Sequence, residues 1–259
     1  MMKREQIYIM NFTHVYEQES FMEKREIQWL DCTKILETNC YCSIKAEKRL
    51  KKMIAPYKPQ GIHFIDSGNY HYITKLWVDK IKSPYSLIIF DHHPDMQPTL
   101  YNGVLSCGCW ARDVLENDPF CKKIYLIGVA DELMQKIEGI RNRNKLIYIS
   151  ERDLKGEEKK KMLANAIIRT PIYISIDKDV LSPKFAVTNW DQGSLSLKKI
   201  KELFQIIATK QEIIGIDICG ECPSCISRSK EVDAEYTNDL CNTYLLETFL
   251  EAPLKTPPP

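Results

Sequence analysis

Short apolar runs that alternate with helical patterns constrain the fold of this sequence more than any other feature. Seven runs rich in Ile, Tyr, Phe or Val are typical of strands, and they span residues 6–10, 61–66, 86–90, 123–129, 145–150, 172–177 and 212–219. Helical patterns lie around residues 20–30, 44–55, 71–82, 106–117, 131–140, 154–168, 195–209 and 231–251. Such alternation requires crossover connections. It therefore predicts a three-layer α/β fold with a mainly parallel sheet of seven to eight strands.

Length and charge limit the function classes. The 259 residues fit one domain, and no linker divides them, so we predict a single α/β domain over residues 1–259. The 36 Lys and Arg residues nearly balance the 35 Asp and Glu residues, which gives no global field for nucleic acid or an anionic membrane. No stretch approaches the ~20 apolar residues of a membrane span. The start of the chain also lacks the apolar segment of a signal peptide, so we expect a cytoplasmic protein with reduced cysteines.

Acidic and imidazole side chains follow several of the predicted strands. The carboxyl ends of parallel strands lie at one edge of a sheet, and neighbouring strands are ~4.8 Å apart, so these side chains can converge on an ion. The candidate metal ligands are His71, Asp91, His93, Asp95, Asp177 and Asp179. Four carboxylates with two imidazoles suit Mn²⁺, with Zn²⁺, Fe²⁺ and Co²⁺ as alternatives.

A simpler interpretation of each motif also exists, because aspartates after a strand often cap a helix or form a turn. The combination favours the metal site. Several carboxylates crowded at buried strand ends repel one another unless a cation neutralises them. Asp217 and Glu221 follow the last predicted strand and add to this acidic edge.

The order of these motifs resembles the ureohydrolase superfamily of arginases, agmatinases and formiminoglutamases. The matching segments are "SGNYHYIT", "DHHPD", "SIDKDVLSP" and "GECP", spread from residue 67 to residue 223. The weaker "NWDQGSLS" is similar to the Gly-Gly-Leu-Ser/Thr helix start of that family. The resemblance therefore implies an arginase-like fold over most of the chain.

The resemblance also implies a binuclear metal centre with two Mn²⁺ ions. Asp91 and Asp177 take the positions of the carboxylates that bridge both ions. The other ligands form two pairs, His71 with Asp95 and His93 with Asp179. A hydroxide held between the ions is then the nucleophile that attacks a planar guanidinium carbon, and the reaction cleaves a C–N bond.

Roles in catalysis and substrate binding follow from the same resemblance. Asp179 is expected to orient the hydroxide and to pass its proton to the leaving amine. Glu221 matches the acid that pairs with the guanidinium, so the expected catalytic residues are Asp179, Glu221 and His93. The segment "YNGVLSCGCWARD" replaces a histidine-containing loop of arginases. From it, Asn102, Ser106 and Trp110 are expected to bind substrate together with Glu221.

The divergent loop leaves the substrate open. A free small-molecule guanidine and a guanidine on a larger molecule, such as a peptide arginine, are equally compatible with the motifs. Further copies of the same chain are an additional expected partner, whereas nucleic acid and membranes are not expected.

Three alternative functions stay open beside this hypothesis. One is a single-zinc, deacetylase-like amide hydrolase of the same fold, and another is a non-catalytic metal-binding member. The third uses the Cys222-x-x-Cys225 motif, whose spacing is typical of half a zinc site or of a redox pair. A complete ligand set at the strand ends favours the binuclear hydrolase.

Overall fold

The computed structural model describes residues 6–23, 25–99, 103–156, 169–223 and 228–251. Its strands are β1 (Ile7–Asn11), β2 (Ile27–Asp31), β3 (Tyr41–Cys42), β4 (Gly61–Phe64), β5 (Tyr85–Phe90), β6 (Leu105–Ser106), β7 (Cys121–Val129), β8 (Leu146–Ser150), β9 (Ile172–Asp177) and β10 (Ile213–Cys219). Its α-helices are α1 (Ile44–Ile54), α2 (Ile73–Val78), α3 (Trp110–Asn117), α4 (Asp131–Met134), α5 (Leu197–Ala208) and α6 (Arg228–Leu250).

Eight strands form one sheet in the order β2-β1-β4-β10-β9-β5-β7-β8. Every neighbouring pair in this sheet is parallel. The remaining strands, β3 and β6, form a small antiparallel pair of their own. The predicted fold class is thus confirmed, with an eight-stranded parallel sheet at its centre.

Two hydrophobic cores lie on opposite faces of the sheet. On β5, Leu87 and Ile89 belong to the core that contains buried residues of α1, α2 and α3. Ile88 and Phe90 alternate to the other face, whose core contains buried residues of α5 and α6. Burying each such side chain stabilises the fold by about 1.5–3 kcal/mol, so both layers of helices hold the sheet in place.

The segment around residues 20–30 corrects one prediction. A helix was expected there, but residues 27–31 form β2, the edge strand that pairs with β1. Trp29 and two neighbouring residues of β2 are exposed, because one side of an edge strand faces solvent. Such a strand lacks the continuous apolar run that marked the central strands. The helix expected at 154–168 lies mostly outside the described residues.

The order of strands in the sheet places the strands that carry the polar motifs side by side. β4, β10, β9 and β5 occupy the four central positions of the sheet. Because these strands are parallel, their carboxyl ends open at the same edge. None of the helices in the described ranges is both long and apolar enough to cross a membrane.

Candidate functional site

A cavity of about 470 Å³ opens at the carboxyl ends of the central strands. Its floor contains five acidic or imidazole side chains, namely Asp91, His93, Asp95, Asp177 and Asp179. Its walls include Cys40, Tyr41, Ser106, Cys107, Lys136 and Trp190. The location matches the general rule that parallel α/β sheets bind ligands beyond the carboxyl ends of their strands.

Strand register explains why two of these aspartates meet. Phe90 of β5 pairs with Ile176 of β9, so the next residues, Asp91 and Asp177, leave neighbouring strands at the same level. Both side chains are almost completely buried. Two carboxylates are therefore held close together in a region of low dielectric, which is unfavourable without a compensating cation.

His71 is the centre of one group of candidate ligands. Its Nδ1 lies 3.0 Å from Asp95 Oδ2 and 3.2 Å from Asp91 Oδ2, and Asp177 Oδ2 is 3.6 Å away. His71, Asp91 and Asp95 each offer one donor atom, and these atoms lie within 4.8 Å of one another, as three ligands of one ion do.

The second group contains Asp91, His93 and Asp179. His93 Nδ1 lies 2.8 Å from Asp179 Oδ2, and Asp91 Oδ1 is 3.8 Å from the same nitrogen. The backbone N–H of His93 donates to Asp91 Oδ1 at 2.6 Å, and that of His92 donates to Asp179 Oδ1 at 3.1 Å. Asp91 belongs to both groups, so the two sites are adjacent and share a carboxylate.

Neighbouring side chains fix the orientation of the ligands. His71 Nε2 lies 2.9 Å from Ser175 Oγ, which leaves Nδ1 directed at the carboxylates. Trp110 Nε1 donates to Asp95 Oδ2 at 2.6 Å. Partners of this kind hold metal ligands in position and determine which histidine nitrogen binds.

Burial and charge change the proton affinities of the cluster. Burial, reinforced by Asp179 and Asp95, raises the pKa of Asp91 well above its ordinary value. Burial also raises the pKa of Asp177 to about 6, with Asp179 as the next cause. Burial lowers the pKa of His93, but the hydrogen bond to Asp179 and the negative charges of Asp179, Asp91 and Asp95 together outweigh it, and the result is a pKa of about 10. The cluster therefore retains protons that a cation would displace.

These residues fit a divalent metal. His71 Nδ1 and Asp91 Oδ2 are buried and have no hydrogen-bond partner within the described part of the chain. A buried polar atom without a partner is costly, and a cation among these atoms would remove that cost. Aspartate and histidine together accept Mn²⁺, Zn²⁺, Fe²⁺ or Co²⁺.

Comparison with known proteins gives the family of the chain. Residues 61–241 match the profile of the arginase family. This chain belongs to the arginase family. An uncharacterized protein of Thermotoga maritima is 27% identical over 232 residues, which cover 90% of this chain and 86% of that protein.

Solved structures of the arginase family share the fold. An arginase-like protein of T. brucei, crystallised in an oxidized form, aligns with a TM-score of 0.64 at 14% identity, covering 98% of this chain and 89% of that one. The arginase of Entamoeba histolytica, solved with L-ornithine, aligns with a TM-score of 0.64 at 14% identity over 93% of this chain and 99% of that one. Similarity at this level of identity establishes the arginase-like architecture alone.

Glu221 lies elsewhere than the arginase-family resemblance implied. It is completely buried, it forms an ion pair with Lys178, and it accepts a hydrogen bond from Asn242 Nδ2 at 2.8 Å. Glu221 is not part of the cavity lining. The expectation that it pairs with a guanidinium is corrected, because its carboxylate neutralises a buried lysine beneath the site.

The expected substrate-binding residues occupy three different situations. Ser106 lines the cavity, as a substrate contact requires. Trp110 is completely buried and donates a hydrogen bond to Asp95. The expected substrate contact is therefore corrected: Trp110 holds a candidate metal ligand in position. Asn102 lies outside the described residues, as does Cys225 of the Cys222-x-x-Cys225 motif.

Asp217 also stays apart from the cluster. Its Oδ1 lies 2.7 Å from His63 Nδ1 and accepts a hydrogen bond from the Tyr173 hydroxyl at 2.6 Å. This buried network lies within the sheet, away from the carboxyl edge. Sequence reasoning did not single out Trp190, whose ring centroid is 5.7 Å from that of His93, although the segment "NWDQG" had drawn attention for its glycine.

Proposed function

We propose that this protein is a binuclear-metal hydrolase that cleaves a C–N bond of a guanidino or related amidine substrate. Membership of the arginase family supports a hydrolase of the ureohydrolase type. The observation that carries the proposal is the position of Asp91, which belongs to both groups of candidate ligands. A shared carboxylate is what two closely spaced dications need, because it reduces their mutual repulsion.

The proposed ligand sets follow the sequence hypothesis. Asp91 and Asp177 would bridge two Mn²⁺ ions, while the pairs His71 with Asp95 and His93 with Asp179 would complete the two sites. When bound, the ions supply Lewis acidity and lower the pKa of water at the cavity floor. Zn²⁺, Fe²⁺ and Co²⁺ remain alternatives for the same donors.

Asp179 is the proposed proton carrier, and His93 is its neighbour on the same proposed ion. Asp179 Oδ2 and His93 Nδ1 are 2.8 Å apart and both would bind that ion, so the second carboxylate oxygen of Asp179 is the proposed proton acceptor. Asp179 is 2% exposed and His93 lies at the open side of the cavity, which gives the pair access to a leaving nitrogen. We propose that Asp179 receives the proton of the nucleophile and delivers it to the departing amine, while His93 holds the Asp179 carboxylate in position.

The charges of the cavity narrow the substrate class. Apart from the candidate ligands, the described lining has one charged side chain, that of Lys136. A carboxylate dedicated to a guanidinium is absent from this described lining, since Glu221 pairs with Lys178. We propose an amidine or guanidine whose far end carries an anionic group, with Ser106 and Trp190 contacting the planar part.

Metal content and product release test the function directly. Protein purified without chelator should contain two metal ions per chain, or bind two when Mn²⁺ is added. The reconstituted protein should release urea from arginine, agmatine or an arginine peptide, or formamide from formimidoylglutamate, the substrate implied by the name of one structural neighbour, a formimidoylglutamase. Binding of two ions without any product from this panel would support the proposed metal centre and contradict the proposed substrate class.

Variants at the shared carboxylates test the assignment of ligands. Asp91→Asn and Asp177→Asn should each reduce metal content at both positions, whereas Asp113→Asn on the exterior of α3 should change neither metal content nor turnover. Full turnover by the Asp177→Asn variant would contradict the bridging role. One ion per chain in the unaltered protein would favour the single-zinc hydrolase, and bound metal without turnover on any amide or amidine would favour a metal-binding protein.

We further propose a cytoplasmic location. Apart from Cys222, the eight cysteines among the described residues are free thiols, a state that a reducing compartment maintains. A homo-oligomer remains an additional proposal, which sedimentation analysis of the purified protein would test.

A further inference from the structure

Cys219 lies at the same level of the sheet edge as two candidate ligands, Asp91 and Asp177. It is the last residue of β10, and its register partner on β9 is Asp177. Asp91 follows Phe90, which pairs with the residue before Asp177 on the other side of β9. Three neighbouring strands therefore present a thiol and two carboxylates at one level of the sheet edge.

The sulfur atom faces the ligand cluster. Cys219 Sγ lies 3.2 Å from Asp177 Oδ2, and the side chain is 1% exposed. The donor atoms of His71, Asp177 and Cys219 all lie within 4.8 Å of one another. This spacing is compatible with three ligands of one ion, because metal–ligand bonds of roughly 2.0–2.3 Å separate the ligands by no more than about twice that length.

An independent observation concerns the histidine nitrogen of this group. His71 Nδ1 belongs to the Cys219 group and also lies close to Asp91 and Asp95, yet it has no hydrogen-bond partner in the described residues. The histidine is 1% exposed, so water does not satisfy it from bulk solvent. A cation between Nδ1, Sγ and the carboxylate oxygens would satisfy all of these donors together.

A purely structural role explains Cys219 less well. Buried cysteines commonly pack as small apolar groups, as Cys121 does at the opposite end of the sheet, where its sulfur donates to the backbone carbonyl of Lys123 at 3.6 Å. Cys219 instead places its sulfur against an acid and a histidine. A serine, alanine or valine would pack in this position without offering a soft donor.

We propose that Cys219 is a ligand of the ion held by His71, Asp91, Asp95 and Asp177, and that its sulfur shifts the preference of this site from Mn²⁺ toward Zn²⁺, Fe²⁺ or Co²⁺. The inference rests on the metal centre of the proposed function and specifies its chemistry. On binding, the thiol releases its proton to solvent and the sulfur coordinates as a thiolate. Thiolate is a soft ligand, and Mn²⁺ is the weakest binder of such donors among these metals.

Cobalt spectroscopy tests the sulfur ligand without an activity assay. Full-length protein stripped of metal and loaded with Co²⁺ should show a near-ultraviolet sulfur-to-cobalt charge-transfer band. Cys219→Ser should lose the band. Cys107→Ser should keep it, although Cys107 also lines the cavity, and Cys121→Ser should keep it as a control for changing a buried thiol. Persistence of the band in Cys219→Ser, or its loss in Cys107→Ser, would overturn the assignment.

Metal competition provides the second readout. The unaltered protein should prefer Zn²⁺ over Mn²⁺, and Cys219→Ala should lose at least about tenfold of that preference, since even indirect contacts to a ligand change metal affinity by about 10- to 100-fold. Binding of Co²⁺ without the charge-transfer band would contradict the assignment of Cys219 as a ligand but would still support the proposed metal centre. Protein that binds no Co²⁺, Zn²⁺ or Mn²⁺ would reject both the ligand and the proposed function.

Discussion

The Ser175 hydroxyl lies at Nε2 of His71, which leaves Nδ1 directed at Asp91 and Asp95. Ser175 Oγ lies 2.9 Å from His71 Nε2 and 3.0 Å from Thr74 Oγ1, so the serine is fixed by a second contact. We predict that Ser175→Ala weakens metal binding by about 10- to 100-fold, because His71 loses the partner that orients it. Titration with a chromophoric chelator measures this. Ser86→Ala removes another buried serine at the far end of β5 and should bind metal like the unaltered protein.

Two buried tryptophans, Trp110 and Trp77, allow the effect of packing on the metal site to be distinguished from the effect of hydrogen bonding. Trp110 Nε1 donates to Asp95 Oδ2, whereas Trp77 Nε1 has no hydrogen-bond partner in the described structure. Both rings are completely buried. We predict that Trp110→Phe and Trp77→Phe both lower the free energy of unfolding, but that only Trp110→Phe lowers metal affinity, because only Asp95 loses a charge-assisted donor. Equal metal affinity in the two variants would show that the Asp95 contact has no effect on the site.

At the scale of elements, the turn after β10 packs so closely against the Asp177 carboxylate that it leaves no room for a side chain at Gly220. Gly220 has φ +99°, and a Cβ there would lie 2.5 Å from Asp177 Oδ1 and 2.7 Å from the Lys178 backbone nitrogen. Gly103 has φ +84°, but a Cβ there would meet nothing within 4 Å. Both positions need glycine for backbone conformation, and only Gly220 also needs it for space.

We predict that Gly103→Ala lowers the free energy of unfolding by about 1–3 kcal/mol, the usual cost of a strained backbone conformation, and leaves metal content unchanged. Gly220→Ala should cost more and should also reduce metal content, because Asp177 must move. Urea unfolding and metal analysis of both variants provide the comparison. Normal metal content in Gly220→Ala would mean that Asp177 tolerates the displacement.

The same turn shows the limit of prediction from motifs. The strands with continuous apolar runs were predicted within one or two residues at most ends, because burial on both faces requires that composition. β2 was missed because an edge strand carries exposed polar positions that resemble one face of a helix. Glu221 was expected in the cavity, but it is buried beside Lys178 and Asn242, two partners that no motif revealed. A motif gives the order of residues but not the direction in which each one points.

At the scale of the whole molecule, the sequence indicated which side chains converge but not the contacts that support them. The six predicted ligands lie together because the three parallel strands β4, β5 and β9 end at one edge, a consequence of topology that alternation already implies. Ser175, Lys178 and Cys219 carried no motif of their own. Their positions depend on strand order and register, which bring residues about 40 to 100 positions apart into contact and are visible only in the fold.

A second buried acidic cluster joins distant parts of the chain beneath the site. Glu19 Oε2 accepts a hydrogen bond from Asn242 Nδ2 of α6 at 2.6 Å, and the same amide donates to Glu221, the partner of Lys178. Burial raises the pKa of Glu19 to about 9, with the charge of Glu221 as the next cause. Lys178 lowers this pKa but does not offset burial, so one lysine serves two buried acids and Glu19 keeps its proton near neutral pH.

The sign of the resulting pH dependence follows from proton counting. Below the ordinary pKa of 4.5, Glu19 is protonated in the folded and unfolded chains alike. Between 4.5 and about 9, the unfolded chain releases this proton and the folded chain retains it. The free energy of unfolding then falls by up to about 1.4 kcal/mol per pH unit. The contribution of protonated Glu19 is thus fully present below 4.5 and is lost as the pH rises through about 9.

Glu19→Gln removes this dependence because glutamine stays neutral at every pH and still accepts a hydrogen bond from Asn242. We predict that the variant matches the unaltered protein at about pH 4 and exceeds it in stability by a margin that grows toward about pH 8. Urea unfolding at several pH values measures the margin, and Glu23→Gln, at an exposed acid of the same segment, should show none. A margin that stays constant with pH would mean that Glu19 is ionised in the folded protein, with Lys178 shared between two carboxylates.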